Sequence, residues 1–170
     1  MNNNRFLFFY GHTNNSHTVN KTCFSNFYPA QFVDDKGITF HNSEQYLMYH
    51  KALLFNDIQI ANNILSVKTP STIKKLGRAV RNFNESKWVE CRRQIMGDGL
   101  YFKFNQNQDM KNFLLSTGDL ILVEASPYDT IWGIGLSETN AMNTSEYQWR
   151  GQNLLGKSLM DIRAYFRQNP

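Results

Sequence analysis

Cysteine is scarce in this chain: Cys23 and Cys91 are the only two, far apart and in no Cys-x-x-Cys pair. The four histidines, His12, His17, His41 and His50, show no ligand spacing either. A structural zinc or iron–sulfur site is therefore not expected, and two separate thiols suit a reducing compartment. No apolar run approaches the roughly 20 residues that span a bilayer. The start, Met1 to Arg5, is polar and has no signal-like apolar region. These absences set the expectation of a cytoplasmic protein that engages no membrane. No Gly-rich phosphate cradle of the P-loop or dinucleotide kind occurs, and no cofactor is expected. Nor is there a dense run of one charge. The cations Lys74, Lys75, Arg78, Arg81, Arg92 and Arg93 are spread out, which argues against a tail wrapped on nucleic acid and allows a local phosphate site.

What is abundant is aromatic side chain, with 13 Phe, 8 Tyr and 3 Trp among 170 residues. A single domain, residues 1–170, is expected to bury roughly 70% of its extended-chain surface without staples. The net charge of +4 fits ordinary solubility or an anionic ligand. Phe6 to Tyr10 reads as a strand, and residues 11–22 as polar loop. Residues 31–40 read as a hairpin around Asp34-Asp35-Lys36-Gly37. Asn42 or Ser43 caps a helix, and Gln45 would complete a capping box with Asn42. Further helices are expected over residues 57–65, from Thr69-Pro70 to about Gly77, from Asn84 to Phe104, over 108–116 and from Asn153 to about Phe166. Gly97 and Gly99 mark a kink or a close approach in the long helix. Residues 120–123 read as a buried strand and 136–149 as loop. With about six helices, three or four short strands and no βαβ alternation, the predicted class is α+β, predominantly helical, a multi-helix domain with a small β-sheet.

The segment after the last strand is the densest in chemistry. Pro127 ends the strand; Asp129, Tyr128, Trp132, Gly133 and Gly135 then follow in one loop. Rings, a carboxylate and glycines make a pocket wall, or else a turn that Asp129 closes through the backbone. Glu44 is the second carboxylate, in the first turn of a helix where free amides favour its charge; a plain helix-start acid is the other reading. Trp88 and Trp132 suit stacking on a flat base or core packing. Arg78 suits a two-pronged phosphate clamp or a helix C-cap. Lys51, two turns after Glu44 on the same face, and Lys103 are weaker phosphate candidates. Asn26 reads a sugar hydroxyl or closes a turn. Cys23 has no base beside it and is not a nucleophile candidate.

From about Phe8 to Phe166 the chain resembles the NADAR, or YbiA-like, N-glycosidase family. The pieces are Phe24-Ser25-Asn26-Phe27, Ser43-Glu44-Gln45-Tyr46 with Lys51, Leu76-Gly77-Arg78, Trp88 with Arg92 or Arg93 and Met96, Lys103-Phe104, the Asp129/Trp132-Gly133 loop, and Asn153-Leu154-Leu155-Gly156 with Leu159-Met160. Each is weak alone; together, in order, they are specific. The resemblance implies a largely helical fold with a small sheet. It puts Glu44 at the acidic position the family uses catalytically, and Trp88 and Trp132 at aromatic positions; Glu44 would activate water or stabilise the sugar cation, and Asp129 would assist. It implies a metal-independent hydrolase for the bond between a phosphate-bearing ribose and a nitrogen base. The implied substrates are ADP-ribosyl-guanine, in nucleotides or nucleic acid, or phosphoribosyl-aminopyrimidine intermediates of riboflavin synthesis. Hydrolysis through a sugar cation needs negative charge, a placed water and a proton for the leaving base, which one or two carboxylates supply. Asn26, Lys51, Arg78, Trp88, Trp132 and Gly133 would bind. A non-catalytic ADP-ribose or NAD-binding module is the alternative, and a nucleic-acid binder a third. The polar insert at 136–149 departs from the pattern and reshapes the pocket rim in this reading.

Overall fold

The computed structural model describes residues 5–170. In chain order these residues form β1 (Phe6–Phe9), a 3-10 turn (Lys21–Phe24), β2 (Phe32–Val33), β3 (Thr39–Phe40), α1 (Ser43–Leu54), α2 (Ile58–Leu65), α3 (Pro70–Arg78), α4 (Glu85–Asn105), α5 (Gln108–Ser116), β4 (Ile121–Glu124), α6 (Glu138–Met142), a 3-10 turn (Glu146–Gln148) and α7 (Leu154–Gln168). The helix-rich α+β class expected from sequence is what the chain adopts. No described helix is long and apolar enough to cross a membrane. The chain divides into two compact units, Met1–Ser25 with Gln108–Pro170, and Asn26–Asn107.

In the first unit β1 pairs in parallel with β4, Phe6 opposite Ile121 and Phe9 opposite Glu124. The alternation of strand side chains buries Phe8 with Val123, Ala125, Ile134 and Ala141, against Phe6, Ile121, Leu136 and Trp149. Residues 136–149, expected as loop, contain α6 and the second 3-10 turn, and bring Trp149 into this cluster. Ser137 supplies the missed start signal, its hydroxyl accepting from the Asn140 amide. Asn153 precedes α7 at φ 53, in the left-handed region. Its side chain serves the open edge of β4, accepting from the Glu124 amide at 3.0 Å and donating to the Leu122 carbonyl at 2.9 Å. An asparagine therefore stands in for a strand partner. Gly156 lets α7 close on β4, since a Cβ there would lie 2.1 Å from the Leu122 oxygen.

In the second unit α1 packs against α2, α3 and α4. Ser43 to Tyr49 are all buried, so this helix has no solvent face in its first two turns. Gly77 and Gly99 permit the contacts: Cβ atoms there would lie 2.0 Å from Met48 Sδ and 2.6 Å from Tyr46 Cδ1. Gly99 thus marks the close approach expected of the long helix, while Gly97 faces open space. The two-residue strands β2 and β3 pair antiparallel. The Gln106 amide extends β2, accepting from Val33 N–H and donating to its carbonyl. Asp57 caps α2 and takes a two-pronged bond from Arg81, Nε at 3.0 Å and Nη2 at 2.7 Å. That bond holds the Asp57 carboxyl far below the usual carboxylate range.

The start of α1 shows how a buried helix end is satisfied. Asn42 Oδ1 accepts from the Gln45 amide at 2.8 Å, as a cap should. The expected return bond of the capping box goes one residue further back: Gln45 Oε1 accepts from His41 N–H at 2.8 Å. Gln45 Nε2 donates to the carbonyls of Ile64 and Val67. The fully buried Gln45 thereby ties the chain before α1 to the end of α2.

Three outcomes follow from this packing. Gln45→Leu removes the partners of the His41 amide and the Val67 carbonyl and one of the bonds to the Ile64 carbonyl, and is expected to cost on the order of 3 kcal/mol in urea unfolding. Gly151→Ala would set a Cβ 2.2 Å from the Gly133 oxygen, and the same measurement should show a loss of about 1–3 kcal/mol. The third concerns pH. Burial pushes His50 and His41 below the ordinary 6.5; Asp34 opposes this at His50, and Lys68 adds to it at His41. The unfolded chain then binds protons first, so stability holds above about pH 6.5 and falls as pH drops below it. The urea midpoint should decline from pH 7.5 to 5.5, and less steeply in His50→Gln.

Candidate active site

Glu44 is the second residue of α1, and its position follows from the capping just described. Its amide donates to the Asn26 carbonyl at 3.0 Å, which ties Asn26 to the helix start. The residue is 7% exposed: a carboxylate largely withdrawn from water, in the one part of a helix where backbone amides favour negative charge. Beside it two polar atoms, Asn26 Oδ1 and Ser43 Oγ, are sealed with no hydrogen-bond partner among the described residues. Such atoms carry a desolvation cost of about 1–3 kcal/mol each. Natural chains tolerate that mainly at functional sites or around bound water.

Lys51 lies further along α1. Its Nζ donates to the Gly77 carbonyl at 2.9 Å, at the end of α3, and sits 4.5 Å from the Phe83 ring and 5.6 Å from the Trp88 ring. Burial lowers its pKa; Glu85 and Glu44 pull the other way, and Arg78 adds to the lowering. Glu44, Lys51 and Arg78 are thus within one electrostatic neighbourhood. Arg78, the last residue of α3, is exposed, and no hydrogen bond or ion pair among the described residues holds its guanidinium. The C-cap role falls instead to Lys51. Trp88 is buried, with the ammonium of Lys51 toward its ring; it is part of the wall and not a free stacking plate. Phe83, which sequence reasoning passed over, completes this cation cage. It sits between two asparagines with no periodic signal to reveal it. Lys103 is fully buried within α4, 5.8 Å from the Tyr28 ring, so it is an interior cation and not a phosphate hook on the surface.

The Asp129 loop belongs to the first unit. Asp129 Oδ1 accepts from the amides of Ile131 and Trp132, both at 2.8 Å. Its carbonyl accepts from Gly135 N–H at 3.0 Å. The turn-closing reading of Asp129 therefore holds for Oδ1, while no hydrogen bond among the described residues engages Oδ2. Gly133 lies where a Cβ would come within 2.9 Å of the Glu124 oxygen. The segment leading into α7 pins the loop from outside: amides 151 to 155 donate in turn to the carbonyls of Ile134, Thr130, Gly133, Ile131 and Trp132. Because the first amides of α7 are used in this way, that helix start is not an anion site. Trp132 is half-buried and Tyr128 is 88% exposed. Within its own unit the structure gathers Asn26, Glu44, Lys51, Arg78 and Trp88; within the other it gathers Asp129, Trp132 and Gly133. Among the described residues no group of three or more His, Cys, Asp or Glu side chains is arranged to hold a metal ion.

Known proteins resemble this chain in sequence and in fold. The family model described as the NADAR domain matches residues 8–167. A protein named as an N-glycosidase in Acanthamoeba polyphaga mimivirus is 42% identical, over 99% of this chain and 100% of its own length. A chloroplastic riboflavin biosynthesis protein of Zea mays is 32% identical over 83% of this chain, which corresponds to 23% of that longer protein. The solved structure of Escherichia coli YbiA superposes with a TM-score of 0.76 at 26% identity, covering 98% of this chain and 87% of YbiA. With its sequence matched almost end to end and its fold shared, the chain belongs to the NADAR family.

Proposed function

We propose that this protein is an N-glycosidase that hydrolyses the bond between a phosphate-bearing ribose and a nitrogen base. ADP-ribosyl-guanine is the preferred substrate and phosphoribosyl-aminopyrimidines the second. The observation that carries the reading is the carboxylate of Glu44, largely covered at a helix start, with Lys51 and Arg78 in electrostatic reach. As the C–N bond breaks, positive charge develops on the sugar. A carboxylate in a dry setting stabilises that charge far better than one in water. Glu44 then accepts a proton from the attacking water, whose oxygen bonds to the anomeric carbon, while the departing nitrogen keeps the electron pair of the broken C–N bond and takes a proton from solvent. Arg78, exposed and uncommitted, suits a phosphate oxygen. The two Lys51 donors not used on Gly77 suit another. Asn26 is assigned to a sugar hydroxyl, Trp132 to the base, Trp88 to the wall beside Lys51, and Gly133 to close backbone approach. Asp129 takes the assisting role through Oδ2, its other oxygen being committed to the loop. The name of the mimivirus relative supports the reaction class, and that of the maize relative supports the second substrate only through riboflavin biosynthesis.

Glu44→Gln keeps the side-chain shape and the backbone bond to Asn26. Release of free ADP-ribose from ADP-ribosyl-guanine should fall by about 100-fold or more, with the unfolding midpoint little changed. Inert wild-type protein, with phosphoribosyl-aminopyrimidines also untouched but ADP-ribose bound, would replace the enzyme with a binding module.

A further inference from the structure

Two arginines stand side by side in α4, and the fold treats them oppositely. Arg93 is exposed, while Arg92 is 5% exposed. One turn away on the same face are Trp88 and Met96, both buried, so Arg92 lies at the centre of the inward stripe of the helix. A guanidinium withdrawn from water loses hydration that only an opposite charge or several acceptors can replace. An arginine side chain does not relieve that cost by shedding a proton. The residues three and four positions away are Trp88, Val89, Ile95 and Met96, and none of them can pair with a cation across a turn as an acid would. Among the described residues no hydrogen bond, ion pair or ring contact engages the Arg92 guanidinium. Other buried charged groups are met within the protein: Asp57 by Arg81, Asp34 by the amides of Lys36 and Ile38, and Arg163 by Thr117.

The guanidinium is nevertheless not sealed. Asn26 Oδ1, Ser43 Oγ and His50 Nε2 are closed to water and without a partner, but no nitrogen of Arg92 is in that condition. Its stem is covered while its tip meets a space that solvent enters. Dry walls around an accessible, unpaired cation make a seat for an anion. Two parallel N–H donors on one planar group match two oxygens on one phosphorus. In such a setting the attraction is far stronger than at the surface, where Arg78 lies exposed at the end of α3. The charges that act on Lys51 are those of Glu85, Glu44 and Arg78, so Arg92 is a cationic centre apart from Lys51 and Arg78.

We propose that Arg92 is a further substrate-binding residue whose guanidinium takes two oxygens of a phosphate group on the substrate. The proposal rests on the N-glycosidase reading for the identity of that substrate. It adds a deep anion seat, supplied by α4, to the contacts assigned to Lys51 and Arg78. A cation kept unpaired in this way costs the empty protein stability and returns it when the anion arrives.

Arg92→Met keeps the length of the side chain and removes its charge; Arg92→Lys keeps the charge and removes the fork. The first readout needs no substrate. Thermal unfolding is followed in inorganic phosphate up to about 20 mM, with ionic strength held by chloride so that general salt effects fall on every protein alike. Wild type should gain about 3 °C more than Arg92→Met, with Arg92→Lys between them. Without phosphate, Arg92→Met should melt at or above wild type, because it relieves an unpaired charge. The second readout is cleavage of the phosphate-bearing substrate. KM should rise by about 30-fold in Arg92→Met, kcat should fall by a smaller factor, and Arg92→Lys should recover part of the KM. Inorganic phosphate should compete with substrate in wild type and not in Arg92→Met. An equal phosphate response in wild type and Arg92→Met overturns the proposal, as does a lower melting point of Arg92→Met without phosphate, which would make Arg92 a structural cation. A lost phosphate response with KM unchanged also overturns it, since the anion would then be free phosphate and not part of the substrate. If the glycosidase reading fails, wild type cleaves nothing, and the phosphate response still decides whether Arg92 is an anion seat.

Discussion

The second unit depends on one constraint: the first turn of α1 is buried, and a buried helix start cannot leave its amides to water. Asn42, the Asn26 carbonyl and Gln45 meet that constraint. In doing so they fix four stretches of chain: the segment before β2, the end of β3, α1 itself and the end of α2. Glu44 inherits its position from this arrangement. Its carboxylate is held by a helix whose every neighbour in the first two turns is packed, so the charge is preorganised instead of being carried on a mobile loop.

Asp129 is held by the opposite means. It lies on a loop, and the loop keeps its shape because one carboxylate oxygen is spent on two amides and because five successive amides before and within α7 grip the carbonyls around it. The loop has no regular structure, but few of its backbone groups are unsatisfied. The two acids thus illustrate two routes to rigidity, one through a capped helix and one through carbonyls gripped in sequence. In the second, a substitution at Gly151 acts at a distance along the chain by moving the Gly133 carbonyl.

Most helices were legible because their punctuation is local. Asn42, Asn84 and Pro70 mark starts at the observed places, and apolar spacing marked the buried faces. The parts that were not legible depend on contacts distant in sequence. Gln45 has the right spacing for a capping box, yet its partner is His41, with two more bonds to residues near 65. Lys51 looked like a phosphate ligand beside Glu44, but whether it also caps α3 and sits between Phe83 and Trp88 depends on how three helices pack. The burial of Lys103 had no signal at all, because lysine in an amphipathic pattern reads as surface. Residues 136–149 looked like loop from their polarity, and the short α6 within them is held by one serine cap and by Trp149 reaching the core.

The parallel pairing of β1 with β4 joins Phe6 to Ile121 across most of the chain. During synthesis the Phe-Leu-Phe-Phe strand leaves the ribosome long before its partner exists. Residues 26–107, contiguous in sequence, can collapse in that interval, but β1 must wait. Its four apolar side chains and both its edges are meanwhile open to any other nascent strand. Closing so large a loop is also slow relative to local helix formation. The exposure of this strand is therefore longest in the interval before β4 emerges.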